Sequence, residues 1–185
     1  AAAKVLAVFD NEEVGSQTRQ GAASTFLYDV LRRVSAAFGK DYDAAVAGSL
    51  MLSCDNAHAI HPNHPEYADK NHHVRMNGGV VVKYNANQRY TTDAWSAALF
   101  RVICARAGVP VQLYANRADM PGGSTLGNIA NTQVSLPTVD IGAAQLAMHS
   151  AYETMGARDL DSLVRVMTAY FGRTPRRNAG AMQLV

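Results

Sequence analysis

Two adjacent carboxylates, Glu12 and Glu13 in Phe9-Asp10-Asn11-Glu12-Glu13-Val14-Gly15-Ser16, are the residue pair best suited to metal-assisted proton chemistry. They follow the apolar run Val5-Leu6-Ala7-Val8, which predicts a short buried strand ending in a glycine turn. Neighbouring side chains at a strand end point in different directions. One carboxylate can therefore bind a metal while the other faces a water as general base. Taken alone, two adjacent glutamates more often form a solvated face, so the rest of the chain has to decide.

The second chemical stretch is Ser53-Cys54-Asp55-Asn56-Ala57-His58-Ala59-Ile60-His61-Pro62-Asn63-His64. Asp55 stands where a strand should stop. His58, His61 and His64 follow at three-residue spacing and in isolation could form a zinc site. The competing reading makes them loop histidines, hydrogen-bonded or orienting a ligand. Pro62 and Pro65 oppose a single regular helix presenting all three. His149, in Gln145-Leu146-Ala147-Met148-His149-Ser150, follows a predicted strand and can return to the sheet edge that carries Glu13. Glu13, Asp55 and His149 would then offer mixed oxygen and nitrogen ligands, which suit Zn²⁺ and tolerate Mn²⁺ or Co²⁺. Glu12 would take the proton of an activated water. Gly122-Gly123-Ser124-Thr125 opens a predicted helix, and its backbone amides could cradle a carbonyl or carboxylate; a plain helix start competes.

Alternating elements must position these groups. Residues 5–9 read as a buried strand and residues 18–34 as an amphipathic helix with Phe26, Leu27, Val30, Leu31 and Val34 on one stripe. A strand runs through Leu50-Met51-Leu52. Residues 56–77 are polar and His-rich and read as a long loop, a length that usually signals function. Val80-Val81-Val82 make a strand. Thr92 or Asp93 caps a helix that ends at Ala107 before Gly108 and Pro110. Residues 111–114 form another strand, 124–131 a short helix, 138–141 a strand and 160–171 a last helix. This order predicts an α/β fold, a mostly parallel sheet sandwiched by helices, with chemistry in loops beyond strand ends. Glu12, Glu13, Asp55, Asp119 and His149 all follow predicted strands.

Composition excludes several classes. The 185 residues are 48% hydrophobic and 17% charged, the balance of one globular domain. The net charge of +2 comes with scattered arginines, and only Arg173, Arg176 and Arg177 cluster, in what reads as a disordered tail over 173–185. Nothing suggests nucleic acid. No apolar run approaches the ~20 residues of a membrane span, and Asp10 interrupts the first stretch too early for a secretory signal. Two cysteines without paired spacing, Cys54 and Cys104, fit reduced thiols and a cytoplasmic protein.

These motifs, in this order, resemble the carboxyl-terminal half of an aspartyl aminopeptidase, a two-metal exopeptidase. The resemblance also covers Gly78-Gly79-Val80-Val81-Val82-Lys83, Asn87-Gln88-Arg89-Tyr90 and Pro121-Gly122-Gly123-Ser124-Thr125-Leu126-Gly127. It implies a zinc-peptidase-like (phosphorylase/hydrolase-like) catalytic domain, incomplete here, over residues 1–172. It implies Glu12 as general base, Glu13 and His149 on one metal and Asp55 on the other, with two Zn²⁺ per complete site. It places Lys83 in the pocket for an acidic first side chain and Tyr90 as donor to the oxyanion; Gly122, Gly123 and Ser124 join them as substrate-binding residues. The family's other ligands, a histidine and a bridging aspartate, lie upstream of the double glutamate, so these residues alone are expected to bind metal poorly. The implied function is release of amino-terminal Asp or Glu from peptides by a homo-oligomer. Rival expectations are a related metal-dependent amidohydrolase, a non-catalytic assembly module, and a small zinc module on His58, His61 and His64.

Overall fold

Val80, Val81 and Val82 alternate between two cores, and that alternation sets the layers of the molecule. The computed structural model describes residues 2–178 and 181–184. Val80 and Val82 pack with Phe100, Ile103, Val139, Ile141 and Val166. Val81 faces the other way, towards Ala57, Val74, Tyr90, Tyr114 and Ala144. Successive strand residues point to opposite faces, so a strand covered on both sides reads as a continuous apolar run.

That strand is β3 (Val80–Tyr84). It lies in a four-stranded sheet with β1 (Met51–Cys54), β4 (Val111–Ala115) and β5 (Thr138–Gly142), in the order β1-β5-β3-β4. The β1–β5 and β3–β4 pairings are parallel and β3–β5 is antiparallel. A second sheet orders β2 (Ala57–His58), β6 (Ala144–Leu146) and β7 (Thr154–Met155), with β2 and β6 parallel. Helices α3 (Ala94–Ala107) and α5 (Ala157–Phe171) cover one face of the larger sheet through Phe100, Ile103 and Val166. Helix α4 (Leu126–Ala130) packs against β1 and β5, and α1 (Phe26–Ala37) and α2 (Tyr42–Ala47) pack together. The fold is therefore the expected α/β arrangement, with helices flanking a parallel-rich sheet.

Local chemistry explains several boundaries. Asp93, one of the two expected caps, accepts from the Ser96 amide at 2.7 Å and forms a capping box at the start of α3. Helix α1 begins eight residues later than the stripe predicts. Residues 15–24 form successive turns instead, in which Ala23 N donates to Ser16 O at 2.9 Å. A Cβ at Gly21 would lie 2.2 Å from that same carbonyl oxygen, so only glycine permits the approach. The expected long loop holds β2 and a single 3-10 turn over Pro65–Tyr67.

Two expectations fail outright. Residues 5–9 pair with no strand among the described residues, and Leu6 and Val8 are each 78% exposed. Only Ala7 and Phe9 turn inward, onto the small core of Ala22, Leu27, Ala130 and Val134. Apolar side chains do not make a strand without a neighbour to supply the ladder bonds. The segment read as a disordered tail instead contains β8 (Pro175–Asn178) and β9 (Ala181–Leu184), paired antiparallel, with Leu184 against the main core. Among the described residues no helix is long and apolar enough to cross a membrane. Cys54 is exposed and Cys104 buried, and both are free thiols.

The entry into β3 is fixed by Asp159, fully buried in the first turn of α5. Its carboxyl group accepts from Asn77 N at 2.5 Å and from Gly79 N at 2.9 Å. Gly79 has φ +98°, and a Cβ there would lie 2.3 Å from Pro110 O. Asp159→Ala removes the acceptor from two amides, each costing about 1–3 kcal/mol when left unpaired. The expected loss is about 2–4 kcal/mol, read as a Tm lower by roughly 5–15 °C; an unchanged melting curve would refute the role.

Candidate functional site

One face of the larger sheet carries polar side chains. The register of β1 with β5 sets Ser53 beside Asp140, while Lys83, Gln112 and Tyr114 keep the parity of Val81 on β3 and β4. Above this face opens a cavity of about 550 Å³ whose walls include Glu12, Glu13, Asp55, Lys83, Tyr90 and His149. Gly123 and Ser124 also line it. Gly122 does not; it packs beside Asn116, where a Cβ would lie 2.9 Å from Oδ1. Helix α4 starts at Leu126, two residues later than expected, and the Gly127 amide donates to Ser53 Oγ at 2.8 Å rather than to the cavity.

His149 Nε2 lies 3.1 Å from Glu13 Oε2, with both side chains about two-thirds or more exposed (67% and 72%). His149 adopts φ 66°, and its amide donates to Glu153 Oε1 at 2.6 Å. Glu12 stands beside this pair. Burial holds its carboxyl group above the usual range, and the negative charges of Glu13 and Asp55 push it further the same way. A carboxylate with a raised pKa is a better proton acceptor than an ordinary one.

Asp55 follows β1 directly and meets Lys83. Lys83 Nζ donates to Asp55 Oδ2 and to Asp55 O, both at 3.2 Å, and to Asn56 O at 3.0 Å. The ammonium also lies 5.0 Å from the centre of the Tyr90 ring. The Lys83 side chain is only 3% exposed. Each of its three protons therefore already has an acceptor within the chain, which a sequence reading of Lys83 as a waiting substrate cation did not include. Tyr90 is buried, and its ring sits 6.2 Å from that of Tyr114. Burial raises the pKa of the Tyr90 hydroxyl, with hydrogen bonds from Asn116 and Tyr114 pulling it back, so it stays a neutral donor.

The histidine-rich loop lines the same cavity. His64 Nδ1 is 3.0 Å from Glu66 Oε1, and His64 stacks on Tyr67 at 5.4 Å. His61 Nδ1 accepts from the Asn63 amide at 3.2 Å. His58 has its pKa lowered by burial, then by Lys83 and His149, against the pull of Asp55. Among the described residues no group of three His, Cys, Asp or Glu side chains is placed to hold a metal ion. The zinc module of His58, His61 and His64 is therefore set aside. Asp119, another group expected after a strand, is tied to Arg117 at 2.6 Å.

The Glu13–His149 pair and Asp55 fit zinc by donor type, as part of a ligand set rather than as a whole one. Tyr114 and Asn116 belong to this site but escaped the sequence reading. Their signal was the alternation Gln112, Tyr114, Asn116 along β4 and the residue just beyond its end. Asn56 was missed as well; its side chain donates to Gln145 Oε1 at 2.7 Å and accepts from Ala143 N at 3.2 Å, joining the two sheets under the cavity.

Comparison with known proteins gives a consistent picture. The family model described as aminopeptidase I zinc metalloprotease (M18) matches residues 1–171. A probable M18 family aminopeptidase 2 of Mycobacterium leprae is 49% identical over 170 residues, covering 90% of this chain and 40% of that protein. Among solved structures, the cryo-EM structure of the Ape4 and Nbr1 complex aligns with a TM-score of 0.84 at 38% identity, covering 88% of this chain and 31% of the other. The S. cerevisiae mApe1 dodecamer aligns with a TM-score of 0.79 at 34% identity, covering 89% and 36%. The chain thus spans about 40% of the length of the curated relatives it matches.

Proposed function

The chain belongs to the M18 family of aminopeptidase I zinc metalloproteases, and from that premise we propose that residues 1–172 form the carboxyl-terminal part of the catalytic domain of a metal-dependent aminopeptidase. The observation that carries this reading is Glu12 standing beside the Glu13–His149 pair, at one cavity with Asp55.

Glu13 and His149 would hold one Zn²⁺ and Asp55 a second, with the remaining ligands coming from outside these residues. Bound zinc supplies Lewis-acid polarisation of the scissile carbonyl and a more acidic water. The rest is done by the chain. Glu12 accepts the proton of the attacking water and returns it to the leaving nitrogen, a role for which its raised pKa is suited. The buried Tyr90 hydroxyl donates to the oxyanion that develops on the carbonyl. Gly123 and Ser124 shape the cavity rim that receives the peptide.

The finer proposal is a preference for an acidic first residue, supported by Lys83, a cation in the cavity wall. Its protons now go to Asp55 and Asn56. A substrate carboxylate would replace the Asp55 side chain at Nζ, one carboxylate for another, so the exchange leaves no buried charge unpaired. Assembly as a homo-oligomer is also proposed, supported by the dodecamer of yeast mApe1. A cytoplasmic location rests on the two free thiols alone.

Two measurements on the full-length protein test the core of this reading. Elemental analysis should find about two metal ions per chain, and a chelator should abolish cleavage of amino-terminal residues until Zn²⁺ is restored. A metal-free protein that still cleaves, or one that cleaves only acylated amino acids, would overturn it.

A further inference from the structure

Asp140 lies in β5, an inner strand of the four-stranded sheet, and is fully buried. Its Oδ2 accepts from Thr91 N at 2.6 Å and from Thr91 Oγ1 at 2.8 Å. Its own backbone amide donates to Thr92 Oγ1 at 2.9 Å. Three hydrogen bonds therefore fasten the two residues that directly follow Tyr90. The other oxygen, Oδ1, has no hydrogen-bond partner among the described residues and faces the start of α4, where a Cβ on Gly127 would come within 3.0 Å of it. Thr125 Oγ1, next to the cavity-lining Ser124, is likewise buried and unpartnered.

Among the described residues Asp140 makes no ion pair, the Lys83 ammonium on the adjacent strand being paired with Asp55; a fully buried carboxyl group so placed is costly, and a sheet interior has cheaper ways to fill that volume with apolar atoms. Ser53, its neighbour across the register, is already satisfied as an acceptor from Gly127 N. What Asp140 adds is rigidity at a single place, the peptide that carries Tyr90. Among the described residues no loop or side-chain hydrogen bond is made by the Tyr90 backbone itself, and residues 85–89 before it form an exposed turn whose bonds are made to Asn85. An oxyanion donor works only when held within about half an ångström of the productive position.

We propose that Asp140 is the positioning residue for Tyr90, clamping Thr91 and Thr92 so that the Tyr90 hydroxyl meets the oxyanion without reorganising. The inference rests on the proposed role of Tyr90 and adds the residue through which that role is enforced. Asp140 acts on turnover rather than on substrate affinity, because the oxyanion exists only in the transition state.

The test is a double-mutant cycle on the full-length, zinc-loaded enzyme. Tyr90→Phe should lower kcat about 10²-fold. Asp140→Asn, which keeps one carbonyl acceptor but loses the charge, should lower kcat about 10-fold with KM within about twofold. Thr91→Val should lower kcat by about 3- to 10-fold, and Thr91→Ser should restore it. The double variant Asp140→Asn/Tyr90→Phe should be no slower than Tyr90→Phe alone, since a clamp has no effect once the clamped hydroxyl is gone. Multiplicative losses in the double variant would overturn the role of Asp140 while leaving Tyr90 in place. An unchanged kcat in Tyr90→Phe would remove the oxyanion donor and the clamp together. Should Asp140→Asn fail to fold, the Thr91→Val/Tyr90→Phe pair carries the same comparison.

Discussion

Glu12→Gln is expected to abolish turnover, by about 10²–10⁴-fold in kcat, while the full-length protein keeps its metal. The amide is the same size as the carboxylate, so the cavity and the adjacent Glu13–His149 contact at 3.1 Å are preserved. What disappears is a proton acceptor in a partly desolvated position where Glu13 and Asp55 raise its affinity for protons. Peptide affinity should change little, because the water's proton is transferred only in the reaction. Kinetics paired with elemental analysis provide the check. A Glu12→Gln protein that had also lost its zinc would contradict the division of labour between the two glutamates, and one that retained full activity would move the base elsewhere.

Lys83→Met is expected to act twice. Met matches the lysine stem in length, so packing against Tyr90 survives. Asp55 loses its cation, and the carbonyls of Asp55 and Asn56 lose their donor. Removing one partner of a fully buried ion pair costs about 3–5 kcal/mol; here water reaches Asp55, which is 34% exposed, so about 2–4 kcal/mol is expected. Denaturant unfolding measures that loss. The second effect is on choice of substrate. If Lys83 receives the substrate's acidic group, aspartyl substrates should lose about 10- to 100-fold more in kcat/KM than leucyl ones, the range of a hydrogen bond to a charged group. Equal losses would make Lys83 a purely structural cation and would withdraw the acidic preference.

Much of this was written locally. The capping box at Asp93, the stop at Gly108 and the continuous valines of β3 depend on a few neighbouring residues, and each formed where its residues predict. The breaks came where a distant partner decides. The run at 5–9 had the apolar pattern of a buried strand, but no neighbour among the described residues pairs with it. Inside the histidine loop, β2 exists only because β6, nearly ninety residues on, supplies its ladder. The antiparallel placement of β5 against β3 is likewise invisible to periodicity, which carries no information about strand direction.

The same division runs through the site. Residue types alone suggested proton and metal chemistry at Glu12, Glu13, Asp55 and His149, because the donor atoms and the titratable group of a side chain come with its type, whereas its pKa is set by the fold, as at Glu12. Folding decided which of these groups touch: His149 closes on Glu13, whereas Asp55 is claimed by Lys83. It also decided that Asp140, unremarkable in the string Thr138-Val139-Asp140-Ile141-Gly142, lies under the loop of Tyr90. Chain order fixes chemistry within a few residues. Contacts between segments far apart in the chain depend on register and burial, which only the packed sheet supplies.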